Sequence, residues 1–259
     1  MSGIDWNDVS GVMIDMDGTV YKGGNVIPGA PEFIERLKEK GIPFVFLTNN
    51  SSSNRANYLI KLLGMGFKVS IDNILTSTTA TIEYLLKYQN GKTVYLLGTP
   101  RFVSEIEEAG IIVADDADVV LLAFDTTITY ERINTAYQLI KRGASLVATH
   151  PDDLCPTENG YDVDIGPFIR LFESMTSVKA EVIGKPNPMM AMMAAERMNV
   201  PHEGMVMIGD RIYTDMKMAT DAGIRSVMVL SGEAKREDVE RSGITPTMIV
   251  DSVDDLMRQ

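Results

Sequence analysis

Residues 12–19 read Val12-Met13-Ile14-Asp15-Met16-Asp17-Gly18-Thr19, an apolar run that stops at one carboxylate and meets a second two positions on. A short apolar run ended by polar residues fits a buried strand. For both acids to face one site the chain must turn after that strand, and Gly18 supplies the backbone freedom. The same pattern recurs outward from this point. Residues 44–47 form a second apolar run, ending in Thr48-Asn49-Asn50-Ser51-Ser52. Between the two, residues 31–40 read as a helix, with Phe33, Ile34 and Leu37 at helical spacing and Gly41 as its stop. A helix carrying Leu59, Leu62 and Leu63 follows, then a short strand at 74–76. Runs at 93–97, 119–124 and 146–149 are each followed by a helical stretch. Runs at 205–208 and 227–230 repeat the unit, and 248–250 reads as an edge strand. Strands alternating with helices predict an α/β fold with a largely parallel sheet.

Parallel α/β sheets bind ligands beyond the carboxyl ends of their strands, so the residues at those ends decide function. They are Asp15 and Asp17, then Thr48 and Asn49, and, after residue 205, Gly209-Asp210. Gly184-Lys185-Pro186 stands just before a late helix. The stretch between them has three strand–helix units of its own and no comparable carboxylate at a strand end, apart from His150-Pro151-Asp152. The expected organisation is a discontinuous core, residues 1–78 and 183–259, with a second α/β domain, residues 79–182, inserted in its middle. Such an insertion would cover the site as a cap and supply specificity.

Composition narrows the partner. The 259 residues carry 24 basic and 36 acidic side chains, a formal charge of 24 − 36 = −12. That balance argues against nucleic acid or an anionic membrane, both of which need a basic footprint. It leaves room for a small phosphorylated metabolite, because a metal ion and one or two cations can invert the potential of a cleft. Cys155 is the single cysteine, which rules out an intrachain disulfide and suits a reducing cytoplasm. Residues 1–8 lack the pattern of a signal peptide, and no apolar run approaches the ~20 residues of a membrane helix.

The candidate residues match the needs of phosphoryl transfer. One of Asp15 and Asp17 can attack phosphorus while the other protonates the leaving oxygen. A divalent cation is expected between Asp15 and another acid, with Asp210 the best candidate, and hard oxygen ligands point to Mg²⁺. Asp17 has to be protonated to act as an acid. Burial beside other carboxylates would favour that form, so its backbone carbonyl rather than its side chain is expected to face the metal. Charge on the transferring group calls for fixed donors. Thr48 offers a hydroxyl, Asn49 a backbone N–H and Lys185 a full positive charge. Asp215, five positions beyond Asp210, is expected to hold Lys185 or a metal-bound water, with a plain helix-terminus acid as the rival reading. His150 is balanced between substrate contact and a satisfied buried histidine. Asp115, Asp116 and Asp118 lack the glycine and distal glutamate of a calcium loop and read as a solvated turn.

In this order and spacing the motifs resemble those of the haloacid dehalogenase superfamily of phosphohydrolases, and most nearly its NagD-like and p-nitrophenyl phosphatase-like branch. Asp15-Met16-Asp17-Gly18-Thr19 resembles the first family motif and Thr48-Asn49-Asn50 the second. Gly184-Lys185-Pro186-Asn187-Pro188 resembles the third, and the run from Gly209-Asp210 to Thr214-Asp215 the fourth. The resemblance spans essentially the whole chain. It implies a Rossmann-like core with a large α/β cap between the second and third motifs. It also implies Asp15 as nucleophile, Asp17 as acid and then base, and Mg²⁺ held by Asp15, the Asp17 carbonyl and Asp210. A homodimer through the cap is a further implication. His150 departs from the pattern, standing where many similar members have asparagine before the proline. The expected activity is hydrolysis of small phosphate monoesters, such as sugar phosphates, glycerol phosphate or nucleoside monophosphates. The alternatives are a phosphomutase or phosphotransferase, and a non-catalytic module that binds a phosphorylated metabolite.

Overall fold

The computed structural model describes residues 3–51, 53–157 and 160–258; Ser52, quoted above, lies outside the described residues. The chain divides into two compact units. The first comprises Met1–Thr48, Arg55–Leu75 and Lys185–Gln259, and the second Asn49–Asn54 and Thr76–Gly184.

The first unit is built on a six-stranded sheet. Its order is Met248–Val250, Arg225–Val229, Met205–Gly209, Gly11–Asp15, Phe44–Thr48, Ile74–Thr76. Pairing is parallel from Phe44–Thr48 across to Met248–Val250. All five residues of Gly11–Asp15, of Phe44–Thr48 and of Met205–Gly209 are buried. This is why their sequences run apolar without alternation: helices cover both faces of a parallel sheet. In helix Ala30–Glu39 the buried residues are Ala30, Phe33, Ile34 and Leu37, one stripe at three- and four-residue spacing. Edge-to-face contacts of Phe46 with Phe44 at 5.8 Å and with Phe67 at 6.0 Å fill the space on the sheet.

From Gly11–Asp15 the chain moves outward to Phe44–Thr48 and Ile74–Thr76 on one side. It later returns to Met205–Gly209 on the other side and moves outward again. The direction of winding therefore reverses between Gly11–Asp15 and Met205–Gly209. That reversal opens a crevice at the carboxyl ends of these two strands.

The second unit has its own parallel four-stranded sheet, in the order Glu181–Val182, Ser145–Ala148, Val119–Leu122, Val94–Leu97. Helices Pro100–Glu108 and Tyr130–Lys141 start at Thr99 and Thr129, whose hydroxyls accept from Phe102 N–H and Arg132 N–H. Leu122, Leu139, Leu146, Ile169 and Phe172 form the middle of its core. An antiparallel hairpin, Leu154–Thr157 with Gly160–Val163, interrupts the alternation before helix Gly166–Thr176. The strand–helix reading of the sequence did not contain it. That reading also found no carboxylate at a strand end in this stretch beyond Asp152, and here it needs correction. Asp125 follows Val119–Leu122 closely, and its side chain is 2% exposed. Its Oδ1 accepts from the Thr127 N–H and hydroxyl, and its Oδ2 is paired by charge with Arg132 at 2.7 Å without a hydrogen bond. Among the described residues no helix is long and apolar enough to cross a membrane.

Candidate active site

Four ionisable side chains meet at the reversal of the core sheet. Asp15 is the last residue of Gly11–Asp15, and Asp210 directly follows Met205–Gly209. Asp215 comes from the π-helical turn Ile212–Met216, and Lys185 from the segment entering helix Pro188–Met198. All four are buried, at 7% exposure or less. The Lys185 ammonium donates to a carboxylate oxygen of Asp15 and, at 2.7 Å, to Asp215 Oδ1. Asp215 Oδ2 accepts from Arg211 N–H at 3.1 Å.

Asp210 is held differently. Its Oδ2 accepts from Glu233 N–H at 2.7 Å, while its buried Oδ1 has no hydrogen-bond partner among the described residues. Gly18 and Gly232 press against this carboxylate. A Cβ at Gly18, where φ is +90°, would lie 2.3 Å from Asp210 Oδ2, and one at Gly232 would lie 1.9 Å away. The third residue of the strand-end turn must therefore lack a side chain for two reasons at once, backbone angle and space.

The electrostatics are unbalanced. Carboxylate oxygens of Asp15, Asp210 and Asp215 lie within 4.8 Å of one another, with one ammonium among them. Burial first, and then the charges of Asp15 and Asp215, push the Asp210 pKa up to about 8. Burial also pushes Asp215 up, to about 6, against the pull of Lys185. Burial alone would lower the Lys185 pKa, but the two carboxylates outweigh it and raise it. Three close carboxylates and an unmet buried oxygen fit a divalent cation bound by hard oxygen ligands. Within the triad, protein donors already occupy both oxygens of Asp215. Asp15 and Asp210 are thus the better-placed ligands, and Asp215 the better-placed support for Lys185.

The other expected residues fall as follows. Thr48 ends the strand beside Asp15 and is buried. Asn49 belongs to the second unit, where its side-chain amide reaches Asp152 at 3.3 Å and its carbonyl accepts from the Ser77 hydroxyl at 2.6 Å. Asp17 lies on the turn after Asp15 and is exposed. The burial expected of it is not found, because the turn at Gly18 carries residue 17 outward while the Gly18 N–H bonds back to the Tyr21 carbonyl at 2.7 Å. His150 is a satisfied buried histidine, bonded to Thr149 and Asp164.

Two features went unread in the sequence. The loop 231–233 both holds Asp210 and, through the Ser231 hydroxyl, donates to the Gly18 carbonyl at 2.7 Å. A polar Ser-Gly pair at a strand end was the available signal. Lys61 sets its ammonium 3.7 Å from the centre of the Tyr21 ring. Burial lowers its pKa while the charge of Asp17 opposes the shift. Nothing in the spacing of a surface helix would have singled it out.

Fold and cluster together define an α/β enzyme with an acidic, lysine-bearing centre at the switch point of a parallel sheet. Residues 12–112 match the family model of haloacid dehalogenase-like hydrolases, and residues 182–256 match the HAD-hydrolase-like model. A 4-nitrophenylphosphatase from Thermotoga maritima superposes with a TM-score of 0.92 at 40% identity, over 98% of each chain. NagD from Escherichia coli K-12 superposes with a TM-score of 0.88 at 28% identity, over 95% of this chain and 98% of the other. The sugar-phosphatase AraL of Bacillus subtilis is 34% identical over 253 residues, covering 96% of this chain and 92% of that protein. The chain belongs to the haloacid dehalogenase-like hydrolases, in the branch with NagD and the p-nitrophenyl phosphatases, and is an enzyme of the phosphatase class.

Proposed function

We propose that the chain is a Mg²⁺-dependent phosphohydrolase of small phosphate monoesters that works through an aspartyl-phosphate on Asp15. The observation that carries this reading is the buried Asp15–Lys185–Asp215 chain of ion pairs beside Asp210 at the switch point. Asp15 is a fixed carboxylate at the mouth of the crevice, oriented by the lysine that also offsets its charge.

In the first half-reaction an Asp15 oxygen attacks phosphorus, and the bond from phosphorus to the ester oxygen breaks. Asp17 gives its proton to the departing alkoxide, which leaves as an alcohol. In the second, Asp17 takes a proton from water, the water oxygen attacks phosphorus, and Asp15 is released with inorganic phosphate. The exposure of Asp17 suits a group that must exchange protons with an alcohol and with water in turn. The Lys185 ammonium, the Thr48 hydroxyl and the Asn49 N–H stabilise charge on the three equatorial oxygens. Mg²⁺, held by Asp15, the Asp17 carbonyl and Asp210, would supply positive charge against the transferring group.

In this reading residues 79–182 act as the cap that selects the ester and shields it from bulk water. The substrate is a small phosphorylated metabolite, such as a sugar phosphate, glycerol phosphate or a nucleoside monophosphate. We place the enzyme in the cytoplasm, in keeping with its lone, buried Cys155.

Release of inorganic phosphate from a panel of such esters tests this, with wild type and Asp15→Asn, in Mg²⁺ and in EDTA. Turnover is expected only with both the metal and Asp15. Asn cannot form the acyl phosphate, so a loss on the order of 10⁴-fold or more is expected. Appreciable turnover by Asp15→Asn, or by wild type in EDTA, overturns the mechanism.

A further inference from the structure

We propose that Lys61 is a positioning residue for proton transfer to the leaving group: by holding the ring of Tyr21 it fixes the turn that carries Asp17. This deepens the phosphatase reading and rests on it.

The turn after Gly11–Asp15 is closed by backbone bonds that converge on Tyr21. The Met16 carbonyl accepts from the N–H groups of Thr19, Val20 and Tyr21 at 3.2, 2.9 and 3.3 Å. The Gly18 N–H donates to the Tyr21 carbonyl at 2.7 Å, and Asp17 pairs with Tyr21 in a single backbone bridge. Tyr21 then opens the short hairpin of Tyr21–Lys22 with Asn25–Val26. Asp17 is exposed, so no packing around its own side chain fixes it. Its direction is set by how firmly this turn is held.

Two contacts hold the turn, and they come from opposite sides of Gly11–Asp15 in the sheet. On one side Ser231, shortly after Arg225–Val229, donates its hydroxyl to the Gly18 carbonyl at 2.7 Å. On the other, helix Arg55–Gly64 follows Phe44–Thr48 and sets the Lys61 ammonium 3.7 Å from the centre of the Tyr21 ring. The ring is buried, so anchoring it anchors the backbone that closes the turn. All these residues belong to the first unit.

A charge at position 61 is not needed for packing alone. The Lys61 ammonium is half-buried and makes no hydrogen bond or ion pair among the described residues. Burial lowers its pKa, and it stands near enough to Asp17 for that charge to oppose the shift. Methionine at this position would cover the ring without the cost of desolvating a cation. What the cation adds is direction, because it is drawn to the face of the ring. Proton transfer needs that precision: Asp17 has to come within hydrogen-bond reach of the ester oxygen, and a misplacement of about 1 Å can cost about 100-fold.

The test compares kcat/KM for glycerol phosphate, whose alkoxide needs a proton to leave, with that for p-nitrophenyl phosphate, whose phenolate does not. Since kcat/KM covers the steps up to departure of the alcohol, hydrolysis of the aspartyl-phosphate does not enter it. Lys61→Met is expected to lower the glycerol phosphate value about tenfold and the p-nitrophenyl phosphate value by no more than about twofold. Tyr21→Leu removes the ring, keeps the lysine and should move the ratio the same way. Lys61→Arg and Tyr21→Phe keep a cation over a ring and should keep the wild-type ratio. Asp17→Ala should move the ratio most and sets the scale.

Equal losses on both esters, or a ratio unmoved by Lys61→Met, overturn the proposal; if Asp17→Ala still moves the ratio, the phosphatase reading stands without it. A shift with Lys61→Met but not with a folded Tyr21→Leu means that the lysine acts without the ring, and the positioning role is overturned. Should Tyr21→Leu fail to fold, rescue of the ratio by Lys61→Arg decides, and its absence overturns the proposal. A ratio unmoved by Asp17→Ala removes Asp17 as the acid, and the proposal falls with that assignment.

Discussion

The two units each bury a set of charged groups, and the sets differ in how completely they are matched. In the core, three carboxylates share one ammonium, and Asp210 keeps one buried oxygen with no partner among the described residues. In the second unit the charge of Asp125 is paired with Arg132 at 2.7 Å, and the His150 ring is bonded at both nitrogens. A matched buried network adds to structural specificity and is self-contained. An unmatched one is costly to fold and persists where something else, a substrate or an ion, completes it. By this criterion the core cluster is the chemical centre, and the pairs of the second unit are supports.

Lys185→Met gives the sharpest test of that difference. It removes the one cation from the core cluster and leaves Asp15 and Asp215 buried without it. Removing one partner of a buried pair typically costs about 3–5 kcal/mol. Urea unfolding of the metal-free protein near neutral pH should show a loss of that size, together with loss of phosphate release. The stability loss should shrink below about pH 6, where Asp215 takes up a proton. A variant as stable as wild type would mean that the cluster is not charge-strained.

A more gradual effect, spread over several pH units, is expected at Asp210. Its folded pKa is raised from 3.8 to about 8, so the folded state holds a proton that the unfolded chain releases first. The sign follows from linkage: this contribution is fully present below about pH 4 and is lost as pH rises to about 8. Metal-free wild type should therefore lose stability over that window, with Asp215 adding to the slope up to about pH 6. Asp210→Asn should flatten the slope by up to about 1.4 kcal/mol per pH unit, and should abolish stabilisation by added Mg²⁺. In wild type, Mg²⁺ binding should release protons near pH 6 and far fewer near pH 9. Calorimetry in buffers of different ionisation enthalpy measures this directly. Equal proton release at both values would separate metal binding from Asp210.

Much of the core could be read in the sequence because both faces of its sheet are covered. Strands such as Gly11–Asp15 and Met205–Gly209 are buried at every residue, so they appear as unbroken apolar runs with polar residues at their ends. The ends then pointed to Asp15 and Asp210, the turn before the late helix to Lys185, and the spacing beyond Asp210 to Asp215. The hairpin was hidden for the opposite reason. All four residues of Gly160–Val163 are exposed, and Pro156 interrupts the facing strand, so neither burial nor alternation marks it. The hydrogen bond between His150 and Asp164 was equally unreadable, since it joins positions 14 apart across that hairpin. The exposure of Asp17 depends on where one turn points a side chain, which residue spacing does not encode.

The least effect is expected where charge is already matched. Asp125→Asn removes one charge from the second unit and keeps an acceptor oxygen for the Thr127 N–H and hydroxyl. Its new amide nitrogen faces the Arg132 guanidinium, donor against donor, in place of a 2.7 Å ion pair. Arg132 is partly exposed and also donates to the carbonyls of Leu96, Gly98 and Thr127, so it keeps other partners. The cost should be only about 1–2 kcal/mol, between the ~0.2–1 kcal/mol of an exposed ion pair and the ~3–5 kcal/mol of breaking a fully buried one. Mg²⁺ dependence and the kcat/KM for p-nitrophenyl phosphate should stay at wild-type values. A large change in either would place Asp125 in the chemistry and break the distinction between matched and unmatched charge.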